Sequence, residues 1–598
     1  MNNDSPNLLL STFATQLSEG WLWGILGIVA AIIIAYYFYR KSKIDIDRSR
    51  EHIERCIQER VSTKGIQEES AGKDCKKISD DAKQLQDSSS NYDSGLGKAA
   101  IGDLAGAEAE FNTAIELQLP ALSKYYLQRG NIRYIQKKFK DACMDYSEVI
   151  RIDPQNEKAW NNKGVVLGEL GKYDEALQAY NKIIAIKPEN PDAWYNKGIA
   201  LGKLSKHDES IQAFDKAIEI NPQNEKAWNN KGLALGELNE YNEAIQAYDR
   251  AIEIKPKYPE AWINKGVVLG KSDRYDEAIQ AYDKAIEINP KYSESWINKG
   301  IALGKLSKHD EAIQAFDKAI EITPQSIDAW YNKGITLGRL GRHEEAIQAF
   351  DRAIEINPQY HDAWYNKGFA LRMLKKHEEA IQALDKAIKI NPQLASAWYN
   401  KGVALSELGK YVEAIIAYDK AIEINPQLSE AWSDKGAILG KQSKYDEAIQ
   451  AFDKAIEINI QNALAWTNKG AALGKQSKYD EAMQAYDKAI KINPQLAEAW
   501  SNKGGTLGEQ GKYDEAIQAF DKAIEINPKL VETWNNKGIV LGKSDRNEEA
   551  IQSFDKAIEI KPQYPDAWNN KGIALKLLGR TAEADAAISK AKELGYTG

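Results

Sequence analysis

Residues 327–360 read IDAWYNKGITLGRLGRHEEAIQAFDRAIEINPQY, and the order of apolar residues in this stretch decides the fold. With Ile327 as position 1, Trp330, Gly334 and Leu337 fall at i, i+4 and i+7, on one face of a helix. Gly341 marks a turn, after which Ala346, Ile347, Phe350, Ala353, Ile354 and Ile356 form a second apolar stripe that Asn357 and Pro358 end. Two short antiparallel helices are predicted. A pair this short cannot bury its own apolar face, so it must stack on neighbours, and the small residues at positions 8 and 20 let helices approach closely.

The neighbours are present. Trp160, Trp194, Trp228, Trp262, Trp296, Trp330, Trp364, Trp398, Trp432, Trp466, Trp500, Trp534 and Trp568 recur every 34 residues without insertion or deletion, so thirteen copies fill residues 157–598. A fixed period of this length means a stacked array rather than several globular domains. Residues 123–156 continue it with Gly130, Ala142, Tyr146 and Pro154, and residues 88–122 carry a degenerate copy with Ala107, Phe111 and Ala114. Ile460 interrupts the proline series, which predicts a looser turn before the copy starting at Ala463. In the last copy Lys592 replaces the isoleucine found at position 28 of the other twelve, a polar residue suited to an unpaired solenoid end. No C-terminal catalytic domain is expected after the array.

These residues resemble the tetratricopeptide repeat (TPR), whose pattern has a bulky residue at position 4, Gly at 8, Ala at 20, an aromatic at 24, Ala at 27 and Pro at 32. The resemblance implies an all-α, right-handed superhelical solenoid of about fifteen helix-turn-helix repeats. It also implies that first helices line a concave groove and second helices lie outside.

Position 6 lies about 200° around the first helix from the tryptophan, away from the core stripe. It is asparagine in twelve copies, at Asn162, Asn196, Asn230, Asn264, Asn298, Asn332, Asn366, Asn400, Asn468, Asn502, Asn536 and Asn570, with Asp434 the exception. In TPR proteins this position faces the groove, and the row resembles the asparagine ladder of the O-linked N-acetylglucosamine transferase superhelix, which implies capture of extended peptides. A carboxamide both donates and accepts, so it can pair with a peptide backbone whatever its side chains. A second reading is that recent duplication left asparagine on a merely solvated face. Positions 5 and 13 vary between copies and are candidates for selectivity, with Tyr195, Tyr331, Tyr365 and Tyr399 as anchors.

Lysine at position 7, from Lys163 to Lys571, departs from the usual leucine of the TPR pattern. About 60° from the tryptophan, it reads as structural, its stem covering apolar surface and its ammonium reaching water or the indole. The co-chaperone clamp for a terminal carboxylate, with Lys at position 5 and Asn at position 9, has no counterpart, since position 9 is apolar or glycine throughout.

Residues 21–39, WLWGILGIVAAIIIAYYFY, carry no charge, and as a helix would reach roughly 28 Å, the thickness of a bilayer core. Trp21, Trp23, Tyr36, Tyr37 and Tyr39 suit the two interfaces. A cleaved signal peptide is the rival reading, but residues 1–20 contain no Lys or Arg and no small-residue cleavage site follows. Arg40, Lys41, Lys43, Arg48 and Arg50 follow the span, so residues 1–20 are expected to be a non-cytoplasmic tail and the repeats to face the cytoplasm from a single-pass anchor. Residues 40–87 are expected to hold a short amphipathic helix around Ile53, Ile57 and Val61 and then a flexible tether, with residues 62–91 rich in Ser, Asp, Gln and Lys.

The net charge of −8 over 598 residues, with signs interspersed, excludes a broad basic surface for nucleic acid. Cys56, Cys75 and Cys143 form no CxxC or Cys/His set, and no phosphate loop or nucleophile elbow occurs, so no metal, cofactor or catalytic site is expected. His207, His309, His343 and His377 stand where other copies have tyrosine, which makes them packing substitutes. The sequence thus describes a membrane-anchored scaffold that binds partner proteins or extended peptides and is not an enzyme. Its alternatives are an assembly or transport receptor that holds cargo transiently and a non-catalytic subunit of an enzyme complex.

Overall fold

The computed structural model describes residues 89–100, 103–116 and 122–597. The expected tail 1–20, the anchor segment 21–39 and the juxtamembrane helix and tether of 40–87 lie outside these residues. Among the described residues no helix is long and apolar enough to cross a membrane. The first described helix, Ser89–Ala100, opens within the residues assigned to the degenerate copy.

Thirty α-helices and no strand make up the described residues. They form two compact units divided between Leu306 and Ser307, and the copy starting at Ser293 gives its first helix to the first unit and its second to the other. In the first unit, helices Leu104–Glu116, Leu122–Ile135 and Phe139–Ile152 precede the regular copies. In the second, regular pairs continue to helices Pro565–Leu577 and Thr581–Glu593. Within each unit the first helices of successive copies approach one another more closely than the second helices do. First helices therefore form the inner face of each unit.

The copy at 327–360 shows why its residues take these forms. Its first helix, Ile327–Arg339, begins after Ser326, whose hydroxyl accepts from the Ala329 N–H, satisfying a donor that the first turn leaves without an intrahelical partner. It ends in a Schellman motif: the Arg342 N–H bonds to the Leu337 carbonyl and the Gly341 N–H to Gly338, both at 3.0 Å. Gly341 has φ +73°. The same left-handed turn is made in all thirteen copies, yet only five have glycine there; Ser205, Asn239, Asp273 and Lys375 are among the others. Tertiary packing imposes the turn even where a side chain opposes it.

The second helix, His343–Ile356, buries Ala346, Ala349, Phe350 and Ala353. The glycine at position 8 of the first helix faces the position-24 side chain. A Cβ built on Gly334 would lie 2.6 Å from the Phe350 ring, and thirteen such glycines, Gly130 included, show 2.5–2.9 Å. Glycine here is a requirement of helix contact. The fully buried large residues are these position-24 aromatics, such as Phe316, Tyr418 and Phe520, and not the tryptophans.

Each tryptophan sits half-buried at the rim and donates its indole N–H to the carbonyl six residues earlier, at 2.8–3.3 Å in all thirteen copies. Twelve times that residue is proline; once it is Ile460, at 3.1 Å. The turn at Ile460 is therefore not looser, contrary to the reading of its missing proline. The carbonyl makes the contact and the ring is dispensable. Since Ile460 is also 65% exposed, Ile460→Pro should raise the unfolding free energy by about 0.4–1 kcal/mol by restricting the unfolded chain. A lowered denaturation midpoint would show that the two turns differ.

Candidate partner-binding face

The first helices carry the asparagine row on the inner face of each unit, but the structure spends much of its hydrogen bonding within the protein. In six copies the carboxamide at position 6 donates to the side chain at position 5 of the preceding copy. Asn196 bonds to Asn161 at 3.1 Å, Asn230 to the Tyr195 hydroxyl at 3.0 Å, Asn264 to Asn229 at 3.0 Å, and Asn570 to Asn535 at 3.0 Å. Asn366 and Asn400 reach Tyr331 and Tyr365 at 3.1 and 3.4 Å and also bond to carbonyls of their own helices. Asn332 bonds only to its own helix, at the Asp328 carbonyl, 2.8 Å away.

Much of the row thus forms rungs between copies. Asn162 is 2% exposed and donates to Asn131 at 3.0 Å, so it is closed to a ligand. The others, apart from buried Asn400, stay partly open, and each rung uses the amide nitrogen; the carbonyl oxygen is left as an acceptor, except that Asn230 already accepts from the Asn229 amide at 3.3 Å. Asn298, Asn468 and Asn502 are half-exposed and Asn536 is exposed.

The tyrosines proposed as anchors do not stand free. Tyr195 packs on Phe214, Tyr331 on Phe350 and Tyr360, and Tyr399 on Tyr418. Burial pushes the Tyr195 hydroxyl up to about 12, with the Asn230 hydrogen bond opposing it. Position 5 as a whole lies between helices, and Asn161, Ile263, Ser433 and Thr467 are buried. It therefore selects the neighbouring copy rather than a ligand. Position 13 does point outward, and Lys203, Arg339, Met373 and Leu577 are exposed.

Position 9, singled out in the sequence only for what it lacks, proves to be the open apolar row. Its members are Val165, Ile199, Leu233, Val267 and Ile301 in the first unit, and Ile335, Phe369, Val403, Ile539 and Ile573 with Ala437, Ala471 and Gly505 in the second. Leu233 is 44% exposed, Phe369 37% and Ile573 49%. Placed one helical turn from position 6, this row runs beside the asparagine oxygens. Its sequence signal was an apolar residue left over from the core stripe at a constant period. A recess on the face of the first unit holds about 350 Å³ and is lined by Ile199, Phe214, Leu233 and Ala234, with His207, Asn230 and Glu237 at its polar side.

The repeated lysine has a structural seat. All thirteen ammonium groups lie 5.0–5.7 Å from the centroid of their own tryptophan. Eleven also pair at 2.5–2.6 Å with the aspartate at position 25 of the preceding copy, as Lys333 does with Asp317. Lys163 and Lys197 are the exceptions, because Ser147 and Asn181 occupy that place. Each pair is half-open to water and contributes about 0.2–1 kcal/mol, with a similar amount from the indole. Together they stitch the first helix of one copy to the second helix of the last.

The position-17 histidines begin second helices, and the Nδ1 atoms of His207, His343 and His377 are buried without a hydrogen-bond partner. No group of His, Cys, Asp or Glu among the described residues is arranged to hold a metal ion. Chemically, the face presents acceptor oxygens and an apolar row at a fixed spacing, an arrangement for holding an extended chain.

Profiles described as tetratricopeptide repeats match residues 191–224, 225–258, 259–292, 395–428, 429–462, 463–496 and 497–530, and residues 297–361 and 331–395. Further repeat profiles match 130–171, 167–205 and 543–579, 519–552 and 565–594. Among solved structures, the chain is similar to the APC/C hetero-tetramer Cut9-Hcn1, with 17% identity, 77% of this chain and 98% of that chain covered, and a TM-score of 0.40. It is also similar to YrrB, described as a TPR protein with an unusual peptide-binding site, at 29% identity over 32% of this chain and 98% of that one, TM-score 0.28. MamA aligns at 25% identity over 28% of this chain and 96% of that one, TM-score 0.26. No curated protein matches the sequence. With these profiles spanning most of residues 130–594, and with helix pairs of the expected length throughout, the chain belongs to the tetratricopeptide repeat proteins.

Proposed function

We propose that the protein is a non-catalytic scaffold whose first-helix face binds partner proteins through extended segments. The observation that carries this reading is the exposed apolar row at position 9 beside the open oxygens of position 6. An apolar row left in water by an otherwise well-packed array favours a partner that covers it, and the adjacent carboxamides satisfy the backbone of a chain laid along it. The uncharged segment 21–39, followed by Arg40, Lys41 and Lys43, supports anchoring in a membrane with the repeats on the cytoplasmic side.

The test uses the full-length chain and a Phe369→Ser/Asn332→Ala/Asn366→Ala variant of equal helicity, each presented with an array of synthetic peptides of random sequence. Peptides held by the parent should bind the variant at least tenfold more weakly, the size of effect seen when central contacts are truncated. Unchanged affinities would move the binding surface elsewhere and refute the assignment.

A further inference from the structure

Three successive copies, 361–394, 395–428 and 429–462, break the pattern of the array on the first-helix face. Arg372 stands at position 12, where ten copies have glycine; Phe369 is the one aromatic at position 9; Met373 is the one methionine at position 13; and Asp434 is the one carboxylate at position 6. The fold does not need the arginine. At Gly338 and Gly440, the same position in nearby copies, an added Cβ would meet nothing within 4 Å.

Arg372 is poorly satisfied by its own protein. Its guanidinium carbon lies 5.1 Å from the Phe369 ring centroid, its one hydrogen-bond acceptor is the weakly accepting Met373 sulfur at 3.8 Å, and its Nε is buried with no partner. A guanidinium has five donors in a planar fork that matches a carboxylate. On the adjoining helices Asp434 accepts the Tyr399 hydroxyl at 3.0 Å through Oδ2. Burial holds this carboxyl above the usual range, the Tyr399 bond lowers it, Glu430 raises it further, and Arg372 is close enough to pull it down. A positive pole and a negative pole therefore share one stretch of the face, flanked by exposed Phe369 and Met373.

We infer that this stretch is a specificity site for an extended segment carrying an aspartate or glutamate. The carboxylate takes the open donors of Arg372, an adjacent apolar side chain lies on Phe369 and Met373, and Asp434 accepts from the segment's backbone. The site rests on the groove reading above and deepens it, by naming an acidic residue beside an apolar one as the feature recognised.

The probe is a randomised library of short synthetic peptides, offered to the full-length protein, to Arg372→Gly and to Arg339→Gln. Arg372→Gly restores the residue of ten other copies, so it should keep the parent's fold, with only the small drop in unfolding midpoint that a glycine brings to a helix. Peptides retained by the parent should be enriched in Asp or Glu beside Leu, Ile or Phe. Arg372→Gly should erase that enrichment and weaken an enriched peptide about tenfold, as should replacing the peptide's Glu by Gln, in line with loss of a charge-assisted bond. Arg339→Gln, which changes an exposed cation one copy earlier, should leave it intact. Retention without acidic enrichment, enrichment in Lys or Arg, or equal loss in both variants would each overturn the inference while leaving groove binding in place. Failure of the parent to retain any peptide would refute both.

Discussion

Replacing Asp145 by alanine should destabilise the N-terminal end of the array by about 3 kcal/mol, the usual cost of breaking one partner of a buried ion pair. Asp145 takes a place that is alanine in most copies, and its side chain is only 2% exposed. Arg129 grips it through Nε and Nη2, and Arg133 bonds to both of its oxygens at 3.0 Å. The arginines are themselves nearly buried, 13% and 14% exposed, and each reaches one further group, Asn112 and Glu108. Deleting the carboxylate strands two guanidiniums in low dielectric, and that stranding is the source of the effect. Hydrogen exchange on the full chain should show protection falling across residues 104–152 and little change beyond about Gly198, because a stacked array transmits stability chiefly to its neighbours. Unchanged protection would mean that water replaces the carboxylate freely.

The pH dependence of this cluster has a definite sign. Burial pushes the Asp145 carboxyl above its ordinary value, more than Arg129 and Arg133 draw it down. A carboxyl raised in the folded state binds its proton more tightly there than when unfolded. Its contribution to stability therefore grows as pH falls through the folded pKa and is absent well above it. The net contribution of the cluster to stability is therefore small beside the cost of breaking it.

Gly334→Val should cost about 3 kcal/mol, and Gly338→Ala, one turn later in the same helix, should stabilise by about 0.5 kcal/mol. The two glycines are alike in sequence and opposite in surroundings. A Cβ on Gly334 would meet Phe350 Cε1 at 2.6 Å and Cδ1 at 2.8 Å, and Phe350 is fully packed. A β-branched side chain can enter only by parting the two helices, an overpacking penalty of 1–3 kcal/mol or more. Gly338 meets nothing within 4 Å, so alanine there adds helix propensity without a clash. Chemical denaturation of both variants decides the matter. Equal midpoints would show that close helix contact is not what keeps glycine at position 8.

Much of this architecture was open to reading in one dimension. The 34-residue period, the two helices per copy and the turn between them are local properties, set by where apolar residues recur and where Gly, Asn and Pro interrupt them. Even the lysine's structural role was legible in part, because its distance from the tryptophan is set by helical geometry alone. Its aspartate was legible too, as a second repeated charge at a constant separation, but only once it was known which helices touch.

What tertiary structure decided is where each repeated polar group is satisfied and which apolar group is left in water. Tyr195, Tyr331 and Tyr365 at position 5 became acceptors for the next asparagine while Tyr399 donates to Asp434, Asn162 was buried, and Ile460 kept a turn that its sequence argued against. Periodicity assigns a residue to a face of its own helix. Whether that face meets solvent, a ring or an amide depends on a helix that begins 34 residues away, and only the packed array sets that distance.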